Sequence, residues 1–232
     1  MRKSITLFIV ILTILSGCQT IGQRTVIDWV DFIKWDNKMY EGIYTGIMAD
    51  HKFIEKKLGE VKFKVADHVS DLEYKIKNGD AAFHEKGTNI YTIKGEPNLL
   101  AVKTSEAING YNLYYSRDEE KFHWQFQDMH LEKVNRVEIY QDNTTGGTKR
   151  IKELKNLEQI SQFLQIVKTS KASPNFQPNM DNGDPVVYEM VLYTGDPVAY
   201  KFSFQFDGHS YFWYPSDTAI LSNDIQAFIP SN

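Results

Sequence analysis

The side chains best suited to chemistry are scattered along this chain. Six histidines, His51, His68, His84, His123, His130 and His209, are potential metal ligands or bases. None stands in an H-E-x-x-H helix or beside cysteine ligands, the spacings that put two donors on one ion. No G-x-S-x-G segment offers a nucleophile elbow. Asp118-Glu119-Glu120 reads as a solvated charge run. Gly146-Gly147-Thr148-Lys149 ends like a phosphate loop but lacks the earlier glycine and sits between two strand-like runs. Asn179, Asp181, Asn182 and Asp184 surround Gly183, yet no glutamate closes a calcium loop, so an Asx-rich turn is expected. No metal, cofactor or catalytic residue is assigned from the sequence. The one thiol, Cys18, cannot form an internal disulfide.

The setting of Cys18 is informative. Arg2 and Lys3 precede an apolar run from Ile5 to Leu15. About 11 residues suit a signal-peptide core and are too short to span the ~30 Å of a bilayer as a helix. Leu15-Ser16-Gly17-Cys18 then supplies a leucine, two small residues and the cysteine. The segment resembles the lipobox of bacterial lipoproteins. That resemblance implies cleavage after residue 17 and a diacylglycerol on the Cys18 sulfur. Two acyl chains give the stable anchoring that one chain does not. Residues 1–17 are then a signal peptide and 18–25 a lipidated tether, on the extracytoplasmic face of the cell membrane. Gln19 carries no sorting information.

The chain has 232 residues and a formal net charge of −4. Losing Arg2 and Lys3 makes the mature part more acidic. It lacks the basic footprint of a nucleic-acid binder, so no nucleic-acid partner is expected. The composition, 42% hydrophobic and 24% charged, suits a globular protein with a core.

An α+β fold is expected, with one mostly-β domain over 26–130 and an α+β domain over 131–232. Asp36-Asn37 lies between strand-like runs and suits a tight hairpin. Residues 51–58 read as one or two helical turns stopped by Gly59. Val61, Phe63 and Val65 alternate with Glu60, Lys62 and Lys64, a half-buried strand. Asn78-Gly79 predicts a second hairpin over 74–83, and further strands are expected at 89–94, 99–102 and 111–115. The soft boundary lies near 128–133. In the second half, 134–140 and 149–154 form a hairpin. A helix follows from N-cap Asn156, with Leu157, Ile160, Phe163, Leu164 and Val167 at helical spacing. Strands at 186–193, 198–206 and 210–214 and a short helix near 223–228 complete an antiparallel sheet with one packed helix, in the order β-β-α-β-β-β-α.

The lipobox, the lysine-rich and aromatic segments at 59–67 and 77–91 and the pattern VEIYQ…YEMVLYTGD…FSFQFDG…YF make the whole chain similar to small lipoproteins of Bacillus-type Gram-positive bacteria. That likeness implies export and anchoring and brings no catalytic residues with it. The function expected is a non-enzymatic binding or accessory module of the cell envelope. Its partners are the membrane, through the lipid on Cys18, and an unidentified envelope protein or ligand. The alternatives are an envelope enzyme and a solute-binding protein; the usual two-lobed binders need repeated βα units, which this pattern lacks. The expected contact surface combines the three-proline loop 170–185, with Phe176, and the outward side of 211–214, with Tyr211 and Trp213. Converging titratable groups in a pocket would favour the enzyme, and a flat aromatic patch the binding module.

Overall fold

Leu99, Leu100, Ala101 and Val102 are consecutive and all buried. A strand that buries both faces needs an apolar layer on each side, and their organisation follows from that need. The computed structural model describes residues 27–143, 147–181 and 183–230. Cys18, the signal segment and the whole tether, residues 1–25, therefore lie outside the described residues. The protein is mostly β, with two sheets and few helices.

The first half contributes β1 (Phe32–Trp35), β2 (Lys38–Gly42), β3 (Gly46–Met48), β4 (Ile54–Glu60), β5 (Phe63–Lys64), β6 (Asp80–Ala81), β7 (Asn89–Ile93), β8 (Glu96–Lys103) and β9 (Tyr111–Ser116). The second half contributes β10 (Arg136–Asn143), β11 (Gly147–Leu154), helix α1 (Leu157–Lys168), β12 (Lys171–Ala172), β13 (Val186–Tyr193), β14 (Val198–Phe206), β15 (Tyr211–Trp213) and β16 (Ala219–Leu221). A 3-10 turn, Asn223–Phe228, follows.

The first sheet runs β4-β7-β8-β9-β2-β1-β6-β5. Its two end strands, β4 and β5, are joined by only Val61 and Lys62. Lys62 N donates to Gly79 O at 2.8 Å, next to β6. One continuous stretch of chain thus pairs with both edges, and the sheet closes into a barrel, which removes exposed edges. Leu100 and Val102 join Ile33, Tyr40, Val61, Ile90 and Tyr114 in one apolar cluster. Leu99 and Ala101 face the other way, with Ile43, Met48, Leu113, Trp124 and Val198. Gly59 is required where β4 crosses β1: a Cβ there would lie 2.5 Å from Cη2 of Trp35.

The second sheet runs β11-β10-β13-β14-β15-β16-β12, with β3 also paired to β14. α1 covers one face. Ile160, Phe163, Leu164 and Val167 pack on Ile139, Met190, Phe202, Phe204 and Trp213. Asn156 Oδ1 accepts from the backbone N–H groups of Glu158 (2.9 Å) and Gln159 (3.2 Å) and starts the helix. Leu157 is exposed and outside the stripe. Asn156→Ala should cost about 1 kcal/mol, read as a lower chemical-denaturation midpoint with unchanged slope.

The β1–β2 hairpin turns on Asp36 and Asn37 with φ of 49° and 61°, the left-handed pair a type I′ turn needs. Three expectations need correction. Residues 51–58 are a 3-10 turn, His51–Phe53, followed by strand β4, whose pairing with β7 is interrupted by register shifts that blur its period of two. Asn78-Gly79 does not join two strands. Gly79 N donates to Lys34 O while Gly79 O accepts from Lys62, so the residue wedges between two neighbouring segments. Asn78 Oδ1 accepts from the backbone N–H of Asn37, and Asn78 Nδ2 donates to Asn37 Oδ1. The strand order of the second sheet is also richer than expected, since β12, β16 and β3 were not foreseen. β3 comes from before residues 128–133, so the second sheet includes a strand from the first half.

Candidate functional site

The strand β15 decides which aromatic side chains are available. Its register pairs Trp213 with Phe204 and Tyr211 with Phe206. Both therefore share the Phe202–Phe204–Phe206 face that α1 covers. Tyr211 is 3% and Trp213 1% exposed, and Trp213 stands edge-on to Phe126 at 4.8 Å. The expected contact surface at Tyr211 and Trp213 is thus core. The opposite parity, Phe212 and Tyr214, faces away from the helix. Phe212 is buried beneath Phe176, with ring centroids 5.1 Å apart. Phe176 is half-buried and works as cover.

The rest of the loop is pinned as well. β12 pairs with β16, Ser173 N donates to Thr218 O at 2.7 Å, and Asn179 N donates to Asp207 Oδ2 at 2.9 Å. Asp207 also accepts from the backbone N–H groups of His209 and Ser210. Burial pushes its carboxyl pKa up, but these three N–H groups outweigh burial and hold it below the usual range. Asp181 N donates to Asn179 Oδ1 in an Asx turn.

The helix-free face of the second sheet meets the barrel across a cleft of about 570 Å³. Its sheet wall carries Glu189, Lys201, Ser203 and Tyr214. Its barrel wall carries Asp31 and the β2–β3 connection with Tyr44 and Thr45. Glu106 and Ile108, from the turn before β9, and Thr148 close one end. The walls are tied together. β3 pairs with β14 through Ile47 and Ala199, and Lys201 N donates to Thr45 O at 2.9 Å. Ser203 Oγ donates to Glu189 Oε1 at 3.0 Å. Glu189 Oε2 and Thr45 Oγ1 are buried and have no hydrogen-bond partner among the described residues. An unsatisfied buried polar atom costs about 1–3 kcal/mol, and both of these atoms have essentially no exposed surface of their own.

A hydrogen-bonded chain reaches the cleft from inside the barrel. Tyr114 OH donates to both carboxylate oxygens of Asp31 at 3.0 Å, and its oxygen lies 2.6 Å from His84 Nε2. With Asp31 ionised, His84 carries its proton on Nε2. Burial raises the Asp31 pKa, against the Tyr114 hydrogen bond that lowers it. Burial lowers the His84 pKa and strongly raises that of the Tyr114 hydroxyl. Gly42 makes room for this carboxylate, since a Cβ there would lie 2.8 Å from Asp31 Oδ2.

Beside the cleft, a fully buried carboxylate ties β10, β11 and β13 of the second sheet together. Glu138 is 2% exposed and accepts from Tyr193 OH (2.6 Å), Tyr140 OH (2.7 Å) and Arg150 Nη1 (2.6 Å). Arg136 adds a 3.4 Å ion pair and lies over the Tyr193 ring at 3.7 Å. Asn109, at φ 63°, donates from Nδ2 to Met48 O and to Tyr193 OH. The turn preceding β9 is thereby fastened to β3 and β13 of the second sheet.

The histidines stay dispersed, and no group of three or more His, Cys, Asp or Glu side chains is placed to hold a metal among the described residues. Among the same residues no helix is long and apolar enough to cross a membrane. The cleft offers three carboxylates, one ammonium and several hydroxyls. That set suits a ligand rich in hydrogen-bond donors. None of the cleft residues is singled out from sequence as a site; Lys201, Ser203 and Gln205 alternate with Phe202, Phe204 and Phe206 along β14, which is the local signal for a polar face there. No family model, curated protein or solved structure matches the chain.

Proposed function

We propose that this protein is a membrane-anchored extracytoplasmic lipoprotein, held by lipid on Cys18, that acts as a non-enzymatic binding or accessory module of the cell envelope. On this reading the inter-sheet cleft is where it binds. The observation that carries the reading is a cleft of about 570 Å³ between two tied walls, lined by carboxylates, hydroxyls and two exposed tyrosine rings. A preorganised site loses little entropy on binding. Anchoring confines the protein to a thin layer, where weak contacts act at high local concentration. The finer α+β division, with a boundary near 128–133, belongs to this proposal: the barrel and the helix-backed sheet serve as the two walls.

The test uses full-length protein in detergent, dialysed against a soluble digest of envelope material. Saturable retention of a component, recovered chemically unchanged, is expected. Ser203→Trp should abolish that retention by filling the cleft from an exposed position, with the melting temperature lowered by no more than in Ser203→Ala, which removes only the hydrogen bond to Glu189. Retention unaffected by Ser203→Trp contradicts the cleft assignment, and chemical conversion of the component contradicts the non-enzymatic reading.

A second reading, an envelope enzyme, is favoured by the His84–Tyr114–Asp31 chain, because a carboxyl with a raised pKa at the edge of a cleft is suited to proton transfer. It requires turnover that Asp31→Asn eliminates.

A further inference from the structure

Two features of the cleft are not explained by a general binding role. The first is a pair of exposed aromatic rings, one on each wall. Tyr44 is 68% exposed and Tyr214 53% exposed, and both line the cleft. Tyr44 belongs to the barrel wall near Asp31. Tyr214 follows β15 on the sheet wall, edge-on to Phe212 at 5.9 Å. Exposing two large rings at the rim of a polar cleft gains nothing for folding. The face of such a ring is electron-rich and attracts the C–H edges of a pyranose as well as a cation. The second feature is the sign of the lining. Asp31, Glu106 and Glu189 face one Lys201. Carboxylates accept hydrogen bonds from hydroxyl and ammonium groups and repel anions.

We propose that the cleft is a saccharide site for a short oligomer of amine-bearing pyranoses, stacked against Tyr44 and Tyr214 and held by the carboxylates of Glu189 and Asp31. This rests on the reading that the cleft binds a ligand, and it adds the ligand's chemical class. The sugar hydroxyls and ammonium donate to the carboxylates of Asp31, Glu106 and Glu189 that line the cleft. Phosphate- or carboxylate-bearing glycans are disfavoured by the excess of carboxylates.

Calorimetry of the full-length protein in detergent tests this with three probes: the β-1,4-linked tetramers of glucosamine and of N-acetylglucosamine, and tetragalacturonate. Glucosamine tetramer should bind at one site, N-acetylglucosamine tetramer at least ten-fold more weakly, and tetragalacturonate not at all. Tyr44→Ala and Tyr214→Ala should each weaken glucosamine-tetramer binding at least five-fold with an unchanged melting temperature, since both rings are exposed. Glu189→Gln should remove most of the preference for the amine. Absence of binding by all three probes, tighter binding of the uronate, or binding indifferent to both tyrosine substitutions would overturn the saccharide assignment. If a non-sugar ligand proves to occupy the cleft, the assignment falls and the cleft reading stands. If the glucosamine tetramer binds and is cut to shorter sugars, the saccharide assignment stands and the non-enzymatic reading falls.

Discussion

Cys18→Ala should reduce fatty-acid labelling of the protein to background and leave the precursor with its first seventeen residues attached. The effect is all-or-none because the chain has one thiol, and no other side chain can take the diacylglycerol as a thioether. On the proposed lipoprotein reading, cleavage follows lipidation, so both changes appear together. The mutant keeps its apolar segment, and membrane association alone is therefore a poor readout. Mass spectrometry of the N-terminus and incorporation of labelled fatty acid separate the cases. Undiminished labelling of Cys18→Ala would sink the lipobox assignment.

Glu138→Ala should be the most damaging single truncation near the cleft. It strands two buried tyrosine hydroxyls and leaves Arg150 and Arg136 without their shared carboxylate. Breaking a buried charged network of this kind costs about 3–5 kcal/mol. In a protein of this size the melting temperature should fall by on the order of 10 °C. The network also sets an acid limit. Burial raises the Glu138 pKa, but the hydroxyls of Tyr193 and Tyr140 and the two guanidinium groups outweigh burial and hold it below the ordinary value. Burial and the bond to Glu138 push the Tyr193 hydroxyl up to about 12, so it remains a donor throughout the working range. A carboxyl whose folded pKa is depressed stabilises the fold fully above its unfolded pKa of about 4.3 and loses that contribution as pH falls through the folded value. Wild-type stability should therefore drop in this acid window, and the Glu138→Ala profile should be flatter there. Equal pH profiles for the two proteins would show that Glu138 is not the group responsible.

Local chemistry made some of this structure legible in the sequence. Asp36-Asn37 tolerates positive φ at both positions, and the β1–β2 turn forms there. Asn156 caps α1, and four of the five spaced apolar residues are buried. Other elements depend on partners far away in the chain. Asn78-Gly79 has strong hairpin chemistry, yet pairing across the barrel closure uses Gly79 differently. β4 was read as helix because its register shifts against β7 break the alternation. β3 is three residues long and acquires meaning only beside β14. Alternation along 211–214 identified two aromatic faces, but parity was fixed by the register with β14, which buries Tyr211 and Trp213 and leaves Tyr214 exposed. The site followed the same logic. Glu189 is the single charge inside the apolar strand β13, a visible signal of a paired or functional carboxylate, whereas Glu138 shares β10 with Arg136 and Asp142. Nothing local joined Glu189 to Thr45, Tyr44 or Asp31, because the cleft they line has one wall from each half.

Amide hydrogen exchange of the full-length protein, with and without the envelope digest, tests the binding claim most directly. Slower exchange is expected in residues 42–47 of the barrel wall, in the turn at 106–109 and in the sheet-wall segments around Glu189, Lys201 and Tyr214, with the digest chemically unaltered afterwards. Protection confined to the loop 170–185 or to the helix-covered face, with these segments unchanged, would contradict the cleft as the place where this protein makes its contact.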